Sequence, residues 1–172
     1  TDDVVLMQSG CLCCSIRGDL PKTIERLLRK NIRKEINFER IVIETTGLAD
    51  PGPIMQTLLT DNILASNTRL DGVVTVADAI NGTSTLEKQF EAVSQAALAD
   101  LVILSKTDIA KPKQIQVLKN QLEKINPTSK IISSINGMGL QDEIWGLNAL
   151  KEKSNTTKFL VGRQVLNLRS VN

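Results

Sequence analysis

The 172-residue chain contains no histidine and no tyrosine, one tryptophan and three phenylalanines. Without imidazole, a bound metal would have to be held by thiolates, carboxylates, backbone groups, water or residues outside this chain. So few aromatics offer no row of platforms on which bases could stack, so nucleic acid is not an expected partner. No apolar run approaches the roughly 20 residues needed to span a bilayer, and the first residues carry no charged-then-apolar export pattern, so no membrane partner is expected. The net charge of +2 is nearly balanced. The basic residues Arg26, Arg29, Lys30, Arg33 and Lys34, interrupted by Glu25 and Glu35, suit the solvated face of one helix. With 41% hydrophobic residues the length favours one domain with a single core.

Cysteine is scarce but concentrated. Cys11, Cys13 and Cys14 all lie in Gly10-Cys-Leu-Cys-Cys-Ser-Ile-Arg-Gly-Asp-Leu20, just after the apolar run Val4-Val5-Leu6-Met7. Soft sulfur donors at C-x-C-C spacing can converge on one thiophilic ion, and zinc, cobalt and copper(I) all satisfy that softness. Three ligands leave a fourth position open. The competing explanations are three small buried hydrophobes and a redox dithiol between Cys11 and Cys14, although the intervening Cys13 and the missing βαβ context weaken the latter. Free thiols fit a reducing, cytoplasmic setting. The chain starts on Thr1, within three residues of an apparent strand, and is expected to be a piece of a longer protein.

Strand and helix signals alternate from there on. Asp19 is placed to cap a helix over about 20–35, with Leu20, Ile24, Leu27, Leu28 and Ile32 at 3.6-residue spacing. Ile41-Val42-Ile43 reads as a buried parallel strand ending in the polar loop Glu44-Thr-Thr-Gly-Leu-Ala-Asp-Pro-Gly-Pro53. Pro53 suits the first turn of a short helix through Leu59, and a loop over 61–68 leads to the strand 72–77, with Asp78 at its carboxyl end. Ser84-Thr85-Leu86-Glu87 has capping-box form and predicts a helix burying Leu86, Phe90, Val93 and Ala97. The strand Leu101–Leu104 is closed by Ser105-Lys106-Thr107-Asp108. A helix from Pro112 follows, burying Ile115, Leu118, Leu122 and Ile125 and stopped by Asn126-Pro127. A strand over 130–133 and a helix over 141–153 complete the pattern, which predicts an α/β fold with a doubly wound, mainly parallel sheet covered by helices on both faces. Residues 154–172 read as a linker or the start of a C-terminal domain, beyond a first domain over 1–153.

Ligands in such sheets sit at the carboxyl ends of the strands, where two motifs carry chemistry. Ser105-Lys106-Thr107-Asp108 has the form of a guanine-specificity motif. The Asp108 carboxylate can accept from the ring N–H and the exocyclic amine of guanine, and leaving such an acceptor unpaired discriminates by on the order of 10⁴-fold. Lys106 would lay its stem along the purine and brace the loop. Glu44-Thr45-Thr46-Gly47 has the spacing of the D-x-x-G switch, in which the acid holds the Mg²⁺ hydration shell and the glycine N–H meets the γ-phosphate. The plainer explanations are a strand-to-helix turn capped by Asp108 and a strand-end carboxylate at Glu44.

Taken in order, the cysteine loop, I-V-I-E-T-T-G-L-A-D-P, L-D-G-V-V-T-V-A-D-A and S-K-T-D make the chain resemble the CobW family of metal-handling GTPases over about residues 4–127, with the HypB and UreG nickel-delivery GTPases as further relatives. That resemblance implies a P-loop GTPase fold and a metal site at Cys11, Cys13 and Cys14. It further implies GTP with Mg²⁺ as cofactors, Glu44 and Gly47 in catalysis, and Thr45, Thr46, Ser105, Lys106 and Asp108 in nucleotide binding. Its activity would be GTP hydrolysis coupled to delivery of zinc or cobalt. The partners implied are GTP or GDP and a client metalloprotein, with homodimerisation open. Two departures limit the transfer. The G-x-x-x-x-G-K-[ST] phosphate loop is absent and is expected upstream of Thr1, so this piece alone is expected to bind GTP poorly and be inactive. The histidine-rich stretch of many members is absent too. A metal-binding module with a structural zinc and a degenerate nucleotide site is the alternative, and an NTPase of other base specificity is a third.

Overall fold

The chain is described by a computed structural model covering residues 12–140, 142–147 and 164–170, with the backbone alone for 12–18 and 164–170. Its elements in chain order are α1 (Leu12–Ile32), β1 (Arg40–Glu44), α2 (Pro51–Thr60), α3 (Asn62–Asn67), β2 (Thr68–Asp78), α4 (Gly82–Lys88), α5 (Phe90–Ala97), β3 (Leu101–Ser105), α6 (Pro112–Ile125), β4 (Lys130–Ser133) and β5 (Gln164–Ser170). The strands form one sheet in the order β1-β5-β2-β3-β4. β2, β3 and β4 pair in parallel, the fold class expected of alternating strands and helices. β5 lies between β1 and β2 and runs antiparallel to both, so β1 points the same way as β2. Four strands therefore end on one edge.

Alternation along the strands sorts the core. Val73 faces α1, α2 and α3 through Ile24, Leu28, Ile54, Met55 and Leu64. Val102 and Leu104 meet α5 and α6, while Val74, Leu101 and Ile103 point the opposite way onto Leu140, Ile144 and Leu147. This is the two-sided burial that makes central parallel strands continuously apolar.

Asp100 ties three strands together, at the amino ends of β3 and β4 and in the middle of β2. Its carboxylate accepts from the Val73 N–H at 2.8 Å, its own N–H donates to the Val73 carbonyl at 2.8 Å, and its carbonyl accepts from the Lys130 N–H at 3.2 Å. Nearby, the Asp71 carboxylate, with its side chain 2% exposed, accepts from Arg40 at 2.8 Å and from the Gly146 N–H at 2.9 Å. The Arg40 guanidinium also lies 4.7 Å from the centroid of the Trp145 ring, a cation–π contact. Gly72 is needed at this place because a Cβ there would come within 2.6 Å of Leu147.

Several elements differ from the sequence expectations. α1 begins at Leu12 and runs through Gly18 and Pro21, so Cys13 and Cys14 stand in its first turn and Asp19 is interior, not a cap. The expected loop at 61–68 contains α3, because the Asp61 side chain accepts from both the Ile63 and Leu64 N–H groups at 3.0 Å. The Ser84 capping box is unused. α4 has already begun at Gly82, and the extended Gln89 separates it from α5. That break turns Phe90 outward to 78% exposure, while Gln95 and Ala96 are buried in its place. The helix expected from 141 is a set of turns over 142–147, since Gly146 takes φ +69 and sends its N–H to Asp71. The rest of that predicted helix lies outside the described residues. β2 starts at Thr68, four residues earlier than the alternation suggested.

Asn126, the C-cap of α6, closes the junction between α5 and β3. Its Nδ2 donates to the carbonyls of Ala96, Ala97 and Ala99 at 3.2, 3.0 and 2.9 Å, and its Oδ1 accepts from the Thr128 N–H and hydroxyl. Asn126→Ala is expected to destabilise the fold by about 1–3 kcal/mol, since buried carbonyls lose their donor. The measurement is the urea midpoint at unchanged m-value, with the exposed Asn120→Ala as the reference that shifts stability by less than about 0.5 kcal/mol. Equal midpoints for the two variants would deny Asn126 this role.

Candidate functional site at the carboxyl edge of the sheet

Because β1, β2 and β3 point one way, Glu44, Asp78 and Ser105 end their strands on the same edge. β1 and β3 are three inter-strand steps apart, about 14 Å at the usual spacing of about 4.8 Å. The two motifs read from sequence thus overhang one edge from separate strands.

The loops after β2 and β3 are laced to each other. Register places Asp78 opposite Ser105, the Ala79 N–H donates to the Ser105 carbonyl at 3.0 Å, and the Ser105 hydroxyl donates to the Ala77 carbonyl at 3.3 Å. Lys106 then takes φ +58, a left-handed conformation uncommon for a lysine, and its carbonyl accepts from the Ala110 N–H at 3.1 Å. That turn aims the ammonium back at Asp78, 2.7 Å from Oδ2. The other Asp78 oxygen accepts from the Ile80 and Asn81 N–H groups at 2.8 and 3.2 Å. Burial pushes the Asp78 carboxyl up, but Lys106, the two backbone donors and the Asn81 amide outweigh it and hold it below 3.8. Thr107 is half-buried and Asp108 is exposed at the edge.

The loop after β1 is held from below. Asp50 caps α2 by accepting from the Gly52 N–H at 3.1 Å, with Pro51 at the first helical position, and the Ala49 N–H donates to the Thr46 carbonyl at 3.1 Å. Glu44, Thr46 and Leu48 are exposed, Thr45 and Gly47 half-buried and Ala49 buried. From α5 the Gln95 side chain reaches in, with Nε2 donating to the Gly47 and Ala49 carbonyls, both at 3.1 Å. Sequence reading missed Gln95. An amide next to Ala96 on the inward side of a short helix was the one available signal.

Of the predicted metal ligands, Cys11 lies outside the described residues, and Cys13 and Cys14 are placed by backbone alone in the first turn of α1. Among the residues whose side chains are described, no three carboxylates converge on one point. None of the described helices is long and apolar enough to cross a membrane.

This fold, with polar motifs on the carboxyl edge of a mainly parallel sheet, is that of a P-loop nucleotide-binding protein. The chain belongs to the CobW/HypB/UreG family, matching the nucleotide-binding domain over residues 1–133. It is 37% identical over 137 residues to the zinc-regulated GTPase metalloprotein activator 1 of Schizosaccharomyces pombe, covering 79% of this chain and 32% of that protein. It is 35% identical over 131 residues to the zinc chaperone YjiA of Escherichia coli, covering 76% of this chain and 41% of YjiA. The crystal structure of the Zn(II)-bound YjiA GTPase superposes with a TM-score of 0.70 at 32% identity, over 76% of this chain and 41% of that one. The chain thus spans between about a third and two fifths of the length of these relatives.

The Asp78–Lys106 pair gives the loop a pH dependence of definite sign. A carboxyl whose folded value is lowered stabilises fully above its unfolded value of 3.8, and that contribution is lost as pH falls through the lower folded value. Carbon-detected NMR titration should therefore find the Asp78 midpoint below 3.8 in the unaltered protein and higher in Lys106→Met. An unaltered protein titrating at or above 3.8 would contradict the pairing.

Proposed function

We propose that this chain is the switch and base-reading part of a GTP-hydrolysing metallochaperone, which binds a thiophilic ion at Cys11, Cys13 and Cys14 and passes it to a client metalloprotein under nucleotide control. The observation that carries this reading is that Glu44-Thr45-Thr46-Gly47 and Ser105-Lys106-Thr107-Asp108 close parallel strands on one edge. A nucleotide laid across that edge would have its base at the β3 end and its γ-phosphate at the β1 end. The exposed Asp108 is free to accept from both guanine donors, and Lys106, braced by Asp78, would flank the purine.

Magnesium fits the donor chemistry at the β1 end, where the exposed Glu44 supplies a hard oxygen near which the ion's water shell can be organised. Bound there, it would neutralise charge developing on the phosphoryl oxygens. Glu44 then orients, Thr45 and Thr46 line the path of the phosphates, and the Gly47 N–H donates to the γ-phosphate. A phosphate loop supplied by the full-length protein completes the cradle.

The ion is the cargo. Thiolate ligands must lose their protons to bind it, so loading tightens as pH rises. The relatives' names, a zinc chaperone and a zinc-regulated GTPase metalloprotein activator, support zinc in that role. A reducing cytoplasm would keep the three thiols available.

Asp108→Asn in the full-length protein should weaken GTP binding and turn preference toward xanthine nucleotides, because an amide donates where the carboxylate accepted. The expected change in the GTP-to-XTP affinity ratio is on the order of 10⁴-fold. Competition binding that finds guanine selectivity unchanged removes the base assignment.

Zinc and nucleotide should also be linked. A competitive zinc titration of the full-length protein with a non-hydrolysable GTP analogue and then with GDP is expected to differ by about 5- to 150-fold, with Cys13→Ser as the control that lowers zinc affinity in both states. Equal zinc affinities in the two states would sink nucleotide-driven delivery.

A further inference from the structure

Gly47 is flanked by two peptide planes, and each is held by a different group. The plane before it carries the Thr46 carbonyl, which accepts from the Ala49 N–H at 3.1 Å. The plane after it carries the Gly47 carbonyl, which accepts from Gln95 Nε2 at 3.1 Å. The Gly47 N–H lies in the first plane, opposite the Thr46 carbonyl, so its direction depends on the Ala49 N–H that this carbonyl meets, and a glycine, with the widest choice of backbone conformations, leaves that turn loose unless the planes around it are held. The loop's own turn holds the first, and Gln95, bound to the Gly47 and Ala49 carbonyls, holds the planes on either side of the one that carries the Ala49 N–H and so keeps that turn closed.

Gln95 is well placed for this because its own position is fixed from other directions. It is 4% exposed, and its carbonyl accepts from the Thr75 hydroxyl of β2 at 2.9 Å. The last turn of α5 is further pinned through Ala96 and Ala97 by Asn126. The two amide hydrogens of Gln95 go to two carbonyls of the loop, those of Gly47 and Ala49. A side chain that only filled space here could be methionine or leucine, whereas a buried amide has to find acceptors.

We propose that Gln95 is the positioning residue of the switch loop, fixing the direction of the Gly47 N–H and so setting the rate of hydrolysis more than the affinity for nucleotide. This rests on the reading of Glu44-Thr45-Thr46-Gly47 as the segment that meets the γ-phosphate. Gln95 touches neither nucleotide nor metal. Its effect passes through the loop, from a helix that leads directly into β3 and the base-reading end of the site.

The test uses the full-length protein and two variants. Gln95→Met keeps length and volume but removes both donors, and Gln95→Asn keeps the amide but is too short to reach both carbonyls. Both are expected to lower kcat for GTP by about 10- to 100-fold, the scale of a misplaced reacting group. KM should change by less than about twofold, the pattern of an interaction expressed in the transition state. In parallel, hydrogen exchange at the Ala49 amide, which donates to the Thr46 carbonyl, should speed up while the β2 and β3 amides stay protected. Unchanged kcat overturns the proposal, as does faster exchange spread evenly over β2 and β3, which would mark Gln95 as a general packing residue. If neither variant folds, exchange in the unaltered protein decides: slow exchange at Ala49 supports the restraint, and exchange at the rate of an open loop overturns it. Absence of GTP hydrolysis by the unaltered protein would instead overturn the functional reading, and the exchange rates would still show whether Gln95 holds the loop.

Discussion

The register between β2 and β3 is set by Asp100. Because this one residue exchanges hydrogen bonds with both the N–H and the carbonyl of Val73 and also accepts from Lys130, the amino ends of β3 and β4 are aligned with the middle of β2. The consequences appear at the other end of the strands. Asp78 falls opposite Ser105, so that the next residue, Lys106, can turn back onto it. A slip of one residue would take Asp78 out of reach and would also exchange the faces to which Val73 and Val74 point.

From that alignment the two loops of the site acquire different kinds of support. The loop after β3 is braced by charge and by a left-handed turn at Lys106, both local and both partly open to water. The loop after β1 is supported from beneath by a neutral, buried amide on another element. Salt screens the first kind of support and barely touches the second. The loop after β3 should therefore soften with ionic strength sooner than the loop after β1 does.

The sequence made some of this plain. β3, α6 and β4 stand where the apolar run Leu101–Leu104, Pro112 with its 3.6-residue stripe, and Asn126-Pro127 placed them. Each has an unambiguous period and a strong stop. The motifs at Glu44–Gly47 and Ser105–Asp108 were legible because strand ends and short polar signatures coincide. Other features were hidden because their causes lie far away in the chain. Gly146 leaves the helical conformation to reach Asp71, 75 positions earlier. Gln95 finds its acceptors 46 and 48 positions away, which no local pattern records. The Ser84 capping box was a sound local signal that went unused, because the turn that Asp78 closes on the Ile80 and Asn81 N–H groups is followed at once by α4 from Gly82.

β5 has a consequence for the order in which the molecule can assemble. Among the described residues, β1 has no ladder with β2, and its sheet pairing runs entirely through β5, from Arg40 opposite Arg169 to Glu44 opposite Val165. β2, β3 and β4 can zip together from crossovers of modest length, whereas the partner of β1 among the described residues comes from 164–170. Contacts of such sequence separation form late, because the loop they close must be ordered first. During synthesis, which releases the amino-terminal part first, β1 and the loop after it would leave the ribosome well before β5. Until β5 is made, the ladder that joins it to β1 cannot form.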